Sequence, residues 1–88
     1  MKSMDSLDLI RFITAAFDGV PVPNRISLRV ARALDDYVPD EKLPEIRNLD
    51  THTRWQDVSE AELEEYWDVH PFLDADAFRF YIPAFMIW

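Results

Sequence analysis

The chain contains no cysteine among its 88 residues. That excludes a disulfide scaffold, a thiolate zinc centre and a cysteine nucleophile, and it fits a reducing compartment. It has a single glycine, too few for a turn-rich β protein, whose tight hairpins draw on positive φ. Cations are scarce as well: nine Lys and Arg against seventeen Asp and Glu leave a net charge of −8. Such a balance disfavours direct nucleic-acid binding, which needs clustered Lys and Arg to release counterions. No segment approaches the ~18 consecutive apolar residues of a membrane span. The opening MKSMDSLDL lacks the unbroken apolar run of an export signal, since Asp5, Asp8 and Arg11 interrupt it. The expectation is a cytoplasmic protein without membrane association. Its charge would serve solubility or attraction to a basic partner.

What the chain does have is aromatic bulk: six Phe, three Trp and three Tyr. Each buries a large area, so a chain this short can close a core without disulfides or metal. The pattern predicts a single helical domain over residues 1–88. Its fold class is all-α, a compact bundle of about four helices with a long loop between the second and the third.

Asp5 or Ser6 is placed to cap a first helix running to about Asp18 and stopped by Gly19. Leu9, Ile10, Phe12, Ile13, Ala16 and Phe17 form its apolar arc. The prolines of VPVPN hold residues 20–24 extended. A second helix starts near Asn24 or Ser27 and runs to Tyr37 or Val38, with Val30, Ala31, Leu34, Tyr37 and Val38 on one stripe. Residues 39–54 read as a long polar loop with one helical turn around Leu43 to Asn48. Ser59 and Glu62 form a capping box, with Val58 and Leu63 as its hydrophobic staple. The helix they start carries Leu63, Tyr66, Trp67 and His70 on a stripe that Pro71 stops.

Asp74 caps the closing helix, which contains the most apolar stretch of the chain, AFRFYIPAFMIW. At 100° per residue, Asp76, Arg79, Pro83 and Met86 fall on a narrow outward stripe. An interior proline disrupts a helix by roughly 3 kcal/mol or more. Position 83 is therefore expected to face water, with the helix kinked there or restarted by Pro83.

Phe72 and Leu73, followed by Phe78, Arg79, Phe80, Tyr81, Ile82, Pro83, Ala84, Phe85 and Met86, resemble the hallmark of a family of uncharacterised bacterial proteins. The stretches Trp55-Gln56-Asp57-Val58, Ala16-Phe17 and Ala33-Leu34-Asp35-Asp36-Tyr37 are similar to that family too. It is a domain of unknown function, so the resemblance implies no catalytic residue and no ligand. Many of its members continue past the motif, which leaves open a whole protein or a shortened member.

His70 with Asp68, Asp74 and Asp76 offers hard metal ligands, but matches neither zinc nor calcium spacing. His52 beside Asp50 offers an acid–base pair, yet no nucleophile motif accompanies it, and solvated loop residues are the favoured reading. Arg25, Arg29 and Arg32 crowd the start of the second helix, with Asp35 and Asp36 at its end, an order that opposes the helix dipole. A broken local rule can mark a site; pairing of these arginines with the acidic third helix is the simpler explanation. Arg79 is expected to pair with Asp76, and Tyr81 to sit in the core with its hydroxyl at the rim. The run of Asp57, Glu60, Glu62, Glu64, Glu65 and Asp68 reads as a solvated helix face.

No catalytic, cofactor-binding or metal residue is assigned. The candidate interaction surface comprises Arg25, Arg29, Arg32, Asp35, Asp36, Trp55, Arg79 and Trp88. The favoured function is a non-enzymatic protein–protein interaction module, an inhibitor or immunity-type factor, meeting a basic protein partner or a second copy of itself. One alternative is a small metal-dependent or acid–base enzyme domain using His52, His70 and nearby carboxylates. A second is an acidic nucleic-acid mimic.

Overall fold

The computed structural model describes residues 6–88. Within them lie five α-helices: α1 (Ser6–Ala16), α2 (Leu28–Asp35), α3 (Leu43–Arg47), α4 (Glu60–Tyr66) and α5 (Ala75–Ile87). Short 3-10 turns occupy Asp40–Lys42, Trp55–Asp57 and His70–Phe72. No strand occurs among the described residues, so the all-α class is right, with five helices where about four were expected. The extra helix comes from the supposed loop, where the Asp40–Lys42 turn runs directly into α3 and shortens the irregular stretch.

Each well-read helix start is a side-chain cap. Ser27 Oγ accepts from the Val30 amide at 3.3 Å, Ser59 Oγ from Glu62 at 3.2 Å, and Asp74 Oδ1 from Ala77 at 2.9 Å. The Ser59–Glu62 box is complete, because Glu62 Oε1 in turn accepts from the Ser59 amide at 3.3 Å. Val58 and Leu63, the staple pair, are both buried in the core. The Asp5 cap lies outside the described residues, and Ser6 is the first residue of α1.

Helix ends differ more from expectation. α2 stops at Asp35, and the next residues close a Schellman turn: the Val38 amide donates to Ala33 O at 2.9 Å and the Tyr37 amide to Leu34 O at 3.2 Å. Tyr37 takes the left-handed position, φ 59°, that this turn requires. The turn throws its side chain out of the stripe, and Tyr37 is 92% exposed rather than packed. α4 likewise ends at Tyr66, which leaves Trp67 exposed and carries His70 into the following 3-10 turn. α1 ends at Ala16, two residues short of Asp18, with Gly19 at φ 74° in the turn beyond it.

α5 supplies more of the core cluster than any other helix. Ala77, Phe80, Tyr81 and Ala84 form its buried stripe, and the Phe80 and Tyr81 rings meet edge-on at 4.9 Å. It packs against both α1 and the Trp55–Asp57 turn. Pro83 does not face water: it is fully buried, and the helix runs unbroken from Ala75 to Ile87. Asp76, Arg79 and Met86 of the proposed stripe are exposed. On the 100° projection Pro83 falls between Arg79 and Asp76, yet of these four residues it alone is buried.

The arc of α1 is corrected too. Ile13 is the one buried residue of this helix. Leu9 and Ile10, one turn earlier on the same side, are 46% and 38% exposed, and Phe12 is 64% exposed. The helix therefore leaves the body toward its N-terminus, and its apolar arc is only half covered. The molecule is longer than it is wide, at 51 × 23 × 21 Å. Among the described residues no helix is long and apolar enough to cross a membrane.

Candidate functional site

The densest polar constellation joins α2, the segment after α3, and α4. Arg47, at the end of α3, donates to Asp50 O at 2.9 Å and to Pro23 O at 2.6 Å, while the Asp50 amide returns to Arg47 O at 3.1 Å. The Asp50 backbone is thereby clamped with its carboxylate turned inward, 2% exposed. Asp50 Oδ2 accepts from the Arg29 amide at 3.1 Å, and Oδ1 pairs with the Arg29 guanidinium. That hydrogen bond raises the arginine above its ordinary pKa, against the opposing effect of burial.

Glu62 sits opposite. Its Oε1 accepts from Ser59 Oγ at 3.0 Å and meets His52 Nε2 at 3.0 Å, and its Oε2 lies 3.9 Å from Arg29. Burial pushes this carboxyl upward, but hydrogen bonds from Ser59 and His52 outweigh it, and the group lies below its ordinary value. Tyr81 borders the same region. Burial pushes its hydroxyl up to about 12, and the nearby Asp50 acts in the same direction against a backbone hydrogen bond from Leu28. The hydroxyl is thus inside the core, not at its rim.

Asp50, His52 and Glu62 present ligand atoms within 4.8 Å of one another. Two carboxylates and an imidazole so arranged call for a cation, and the guanidinium of Arg29, against Asp50 and near Glu62, supplies one. The order of groups does not make a nucleophile either. A catalytic triad needs the imidazole between hydroxyl and acid. Here Glu62 Oε1 lies between Ser59 Oγ and His52 Nε2, so the serine has no base. The constellation ties three segments together.

These contacts revise the reading of His52, which is half-buried and paired, not a solvated loop residue. They also resolve the charge conflict in α2, since Asp50 supplies the missing acid at the helix N-terminus through the Arg29 amide. Arg32 turns onto α4 and beyond: it donates to Glu65 O at 3.0 Å and Asp68 at 2.6 Å, reaches Asp35 at 3.4 Å, and lies over the Tyr66 ring at 5.8 Å. Arg29 and Arg32 are therefore engaged within the chain. Arg25 and Asp36 are exposed.

Trp55 is buried, its indole N–H donating to Phe17 O at 3.0 Å, while Trp88 is 54% exposed. Arg79 is exposed on a cleft shared with Asp76 and Val20, and among the described residues the ion pairs do not include one between it and Asp76. His70 packs its ring on Phe85 at 4.6 Å and Phe78 at 6.5 Å. Among the described residues it forms no metal-ligating group with Asp68, Asp74 or Asp76. Of the eight candidates, Trp55 and Trp88 line one cleft, while Arg29 and Arg32 are engaged within the chain.

The sequence reading missed two features. One is the Asp50–Arg29–Glu62–His52 network, signalled only by the reversed charge order of α2. The other is the exposure of apolar residues around the N-terminal half of α1, Leu9, Ile10 and Phe12 on the arc and Leu7 off it.

A family model described as a family of unknown function, DUF6714, matches residues 5–88, and the chain belongs to that family. No curated protein matches the chain, and neither does any solved structure.

Proposed function

We propose that this DUF6714 member is a non-enzymatic binding module that docks a protein of basic surface through the exposed apolar residues of α1. The observation that carries the proposal is the exposure of Leu7 (65%), Leu9 (46%), Ile10 (38%) and Phe12 (64%) within two turns of one helix. Clustered exposed apolar residues of this kind mark interaction sites. The partner's sign follows from the net charge of −8. Two copies of so acidic a chain repel, whereas a cationic partner is steered toward it. The enzyme alternative is weakened by the internal pairing of His52 with Glu62 and of Asp50 with Arg29. The nucleic-acid mimic is weakened because Glu62 turns inward and Arg32 neutralises Asp68, which breaks the acidic run.

The test is affinity capture with identification of bound proteins, comparing the natural chain with a Leu7→Gln/Phe12→Gln variant of unchanged circular dichroism. The natural chain should retain a basic protein, with retention falling as salt screens the charges, and the variant should lose it. Capture that is independent of these two residues, or of only acidic proteins, would contradict the proposal. A homodimer that the variant dissociates would put a second copy in the partner's place.

A further inference from the structure

Where the C-terminal end of α5 meets the Trp55–Asp57 turn and the start of α4, a cleft of about 230 Å3 opens to the surface. Its walls include Trp55, Leu63, Ile87 and Trp88, and its polar groups are Gln56 and Glu60. Three properties define what it would take. At this volume it falls below the roughly 300–1,000 Å3 of small-molecule sites and suits a single side chain. Two indoles with aliphatic neighbours favour a flat or extended group with an apolar stem. The one charged lining residue is a carboxylate, with no Lys, Arg or His beside it. Nearby charges lean the same way: Asp57 adjoins Gln56 and Glu64 follows Glu60 by one helical turn, both exposed, against one cation, Arg54, which adjoins Trp55 on the side of a neighbouring cleft.

An aliphatic stem ending in a positive charge satisfies all three. We infer that this cleft receives an arginine or lysine side chain of the partner, its stem along Leu63 and Ile87 and its cation between an indole and the Glu60 carboxylate. Indole faces attract cations, and guanidinium groups also pair with carboxylates. This inference rests on the reading of the chain as a module for basic proteins and gives that reading a second point of attachment, on elements other than α1. Glu60 is free to act so, because the cap of α4 uses Ser59 and Glu62.

The experiment is a titration of the intact 15N-labelled chain, followed at the indole N–H signals. The probes are N-acetyl-arginine amide, its neutral isostere N-acetyl-citrulline amide, and N-acetyl-norleucine amide. The arginine probe should shift Trp55 and Trp88 and spare Trp67, which is exposed but outside the cleft. Citrulline should bind about fivefold more weakly, the size expected of a cation–π contact at an exposed site. Glu60→Gln should weaken the arginine probe and leave citrulline unchanged. Equal binding of citrulline or norleucine, equal shifts at Trp67, or an arginine titration indifferent to Glu60→Gln would each overturn the inference. The probes do not depend on α1. If they fail while capture through Leu7 and Phe12 succeeds, only the cleft assignment falls. If capture fails while they bind, only the role of α1 falls.

Discussion

At the scale of residues, the pairing of Arg29 with Asp50 is the interaction whose loss should matter most, and it is asymmetric. The Asp50 side chain is 2% exposed and that of Arg29 36%. Removing the arginine strands a buried carboxylate, whereas removing the acid leaves a guanidinium that reaches water. Arg29→Met should therefore lower the unfolding free energy by about 3 kcal/mol, and Asp50→Asn by only about 1–2 kcal/mol. Urea titrations of the two variants decide it, and equal losses would show that the pair is not buried on one side only. How such a residue could be foreseen is instructive. The reversed charge order of α2 was plain in Arg25, Arg29, Arg32, Asp35 and Asp36, and it said that an acid was missing at the helix start. It could not say which acid, because Asp50 stands 21 residues away and reaches Arg29 only after α3 has folded back. Pro83 makes the same point from the other side. Projection onto a helical wheel sets it between Asp76 and Arg79, both exposed, but whether that one position along the helix is covered is a property of the assembled chain.

At the scale of elements, local chemistry was enough wherever a helix starts with its own cap. Ser27, Ser59 and Asp74 are each within three residues of the amide they satisfy, so their roles are written in adjacent positions. Helix ends were less legible, since the Schellman turn after α2 uses Tyr37, a residue with no intrinsic preference for positive φ. The start of α4 also sets a pH dependence. Glu62 lies below its ordinary carboxyl value of 4.5, so its ionised form stabilises the fold. A depressed pKa contributes stability that is present above the unfolded-state value and lost as pH falls through the folded one. Glu62→Gln keeps a side chain able to cap Ser59 while removing the charge. Natural and variant chains should differ in urea midpoint at pH 6, and the gap should close progressively from about pH 5 downward. A gap that stays constant, or widens in acid, would show that the charge of Glu62 is not what holds this corner.

At the scale of the whole molecule, the scarcity of glycine and the helical spacing of apolar residues point to an all-helical chain, and the most apolar segment, α5, supplies four residues of the core. What composition and periodicity could not settle is coverage. The period-3.6 arc of α1 looks the same whether an apolar partner lies within the chain or outside it, and only the packing shows Ile13 covered while Leu7 and Phe12 are not. The function proposed depends on that distinction, because exposed apolar residues count as a contact surface only when they cluster. The most direct test is the urea midpoint of Leu7→Gln and Phe12→Gln, measured singly on the free protein. Each should match the natural chain within about 0.5 kcal/mol, as surface substitutions do. A loss of about 3 kcal/mol or more for Phe12→Gln, the size seen when a core phenylalanine is truncated, would place α1 inside the fold and contradict its role as the docking helix.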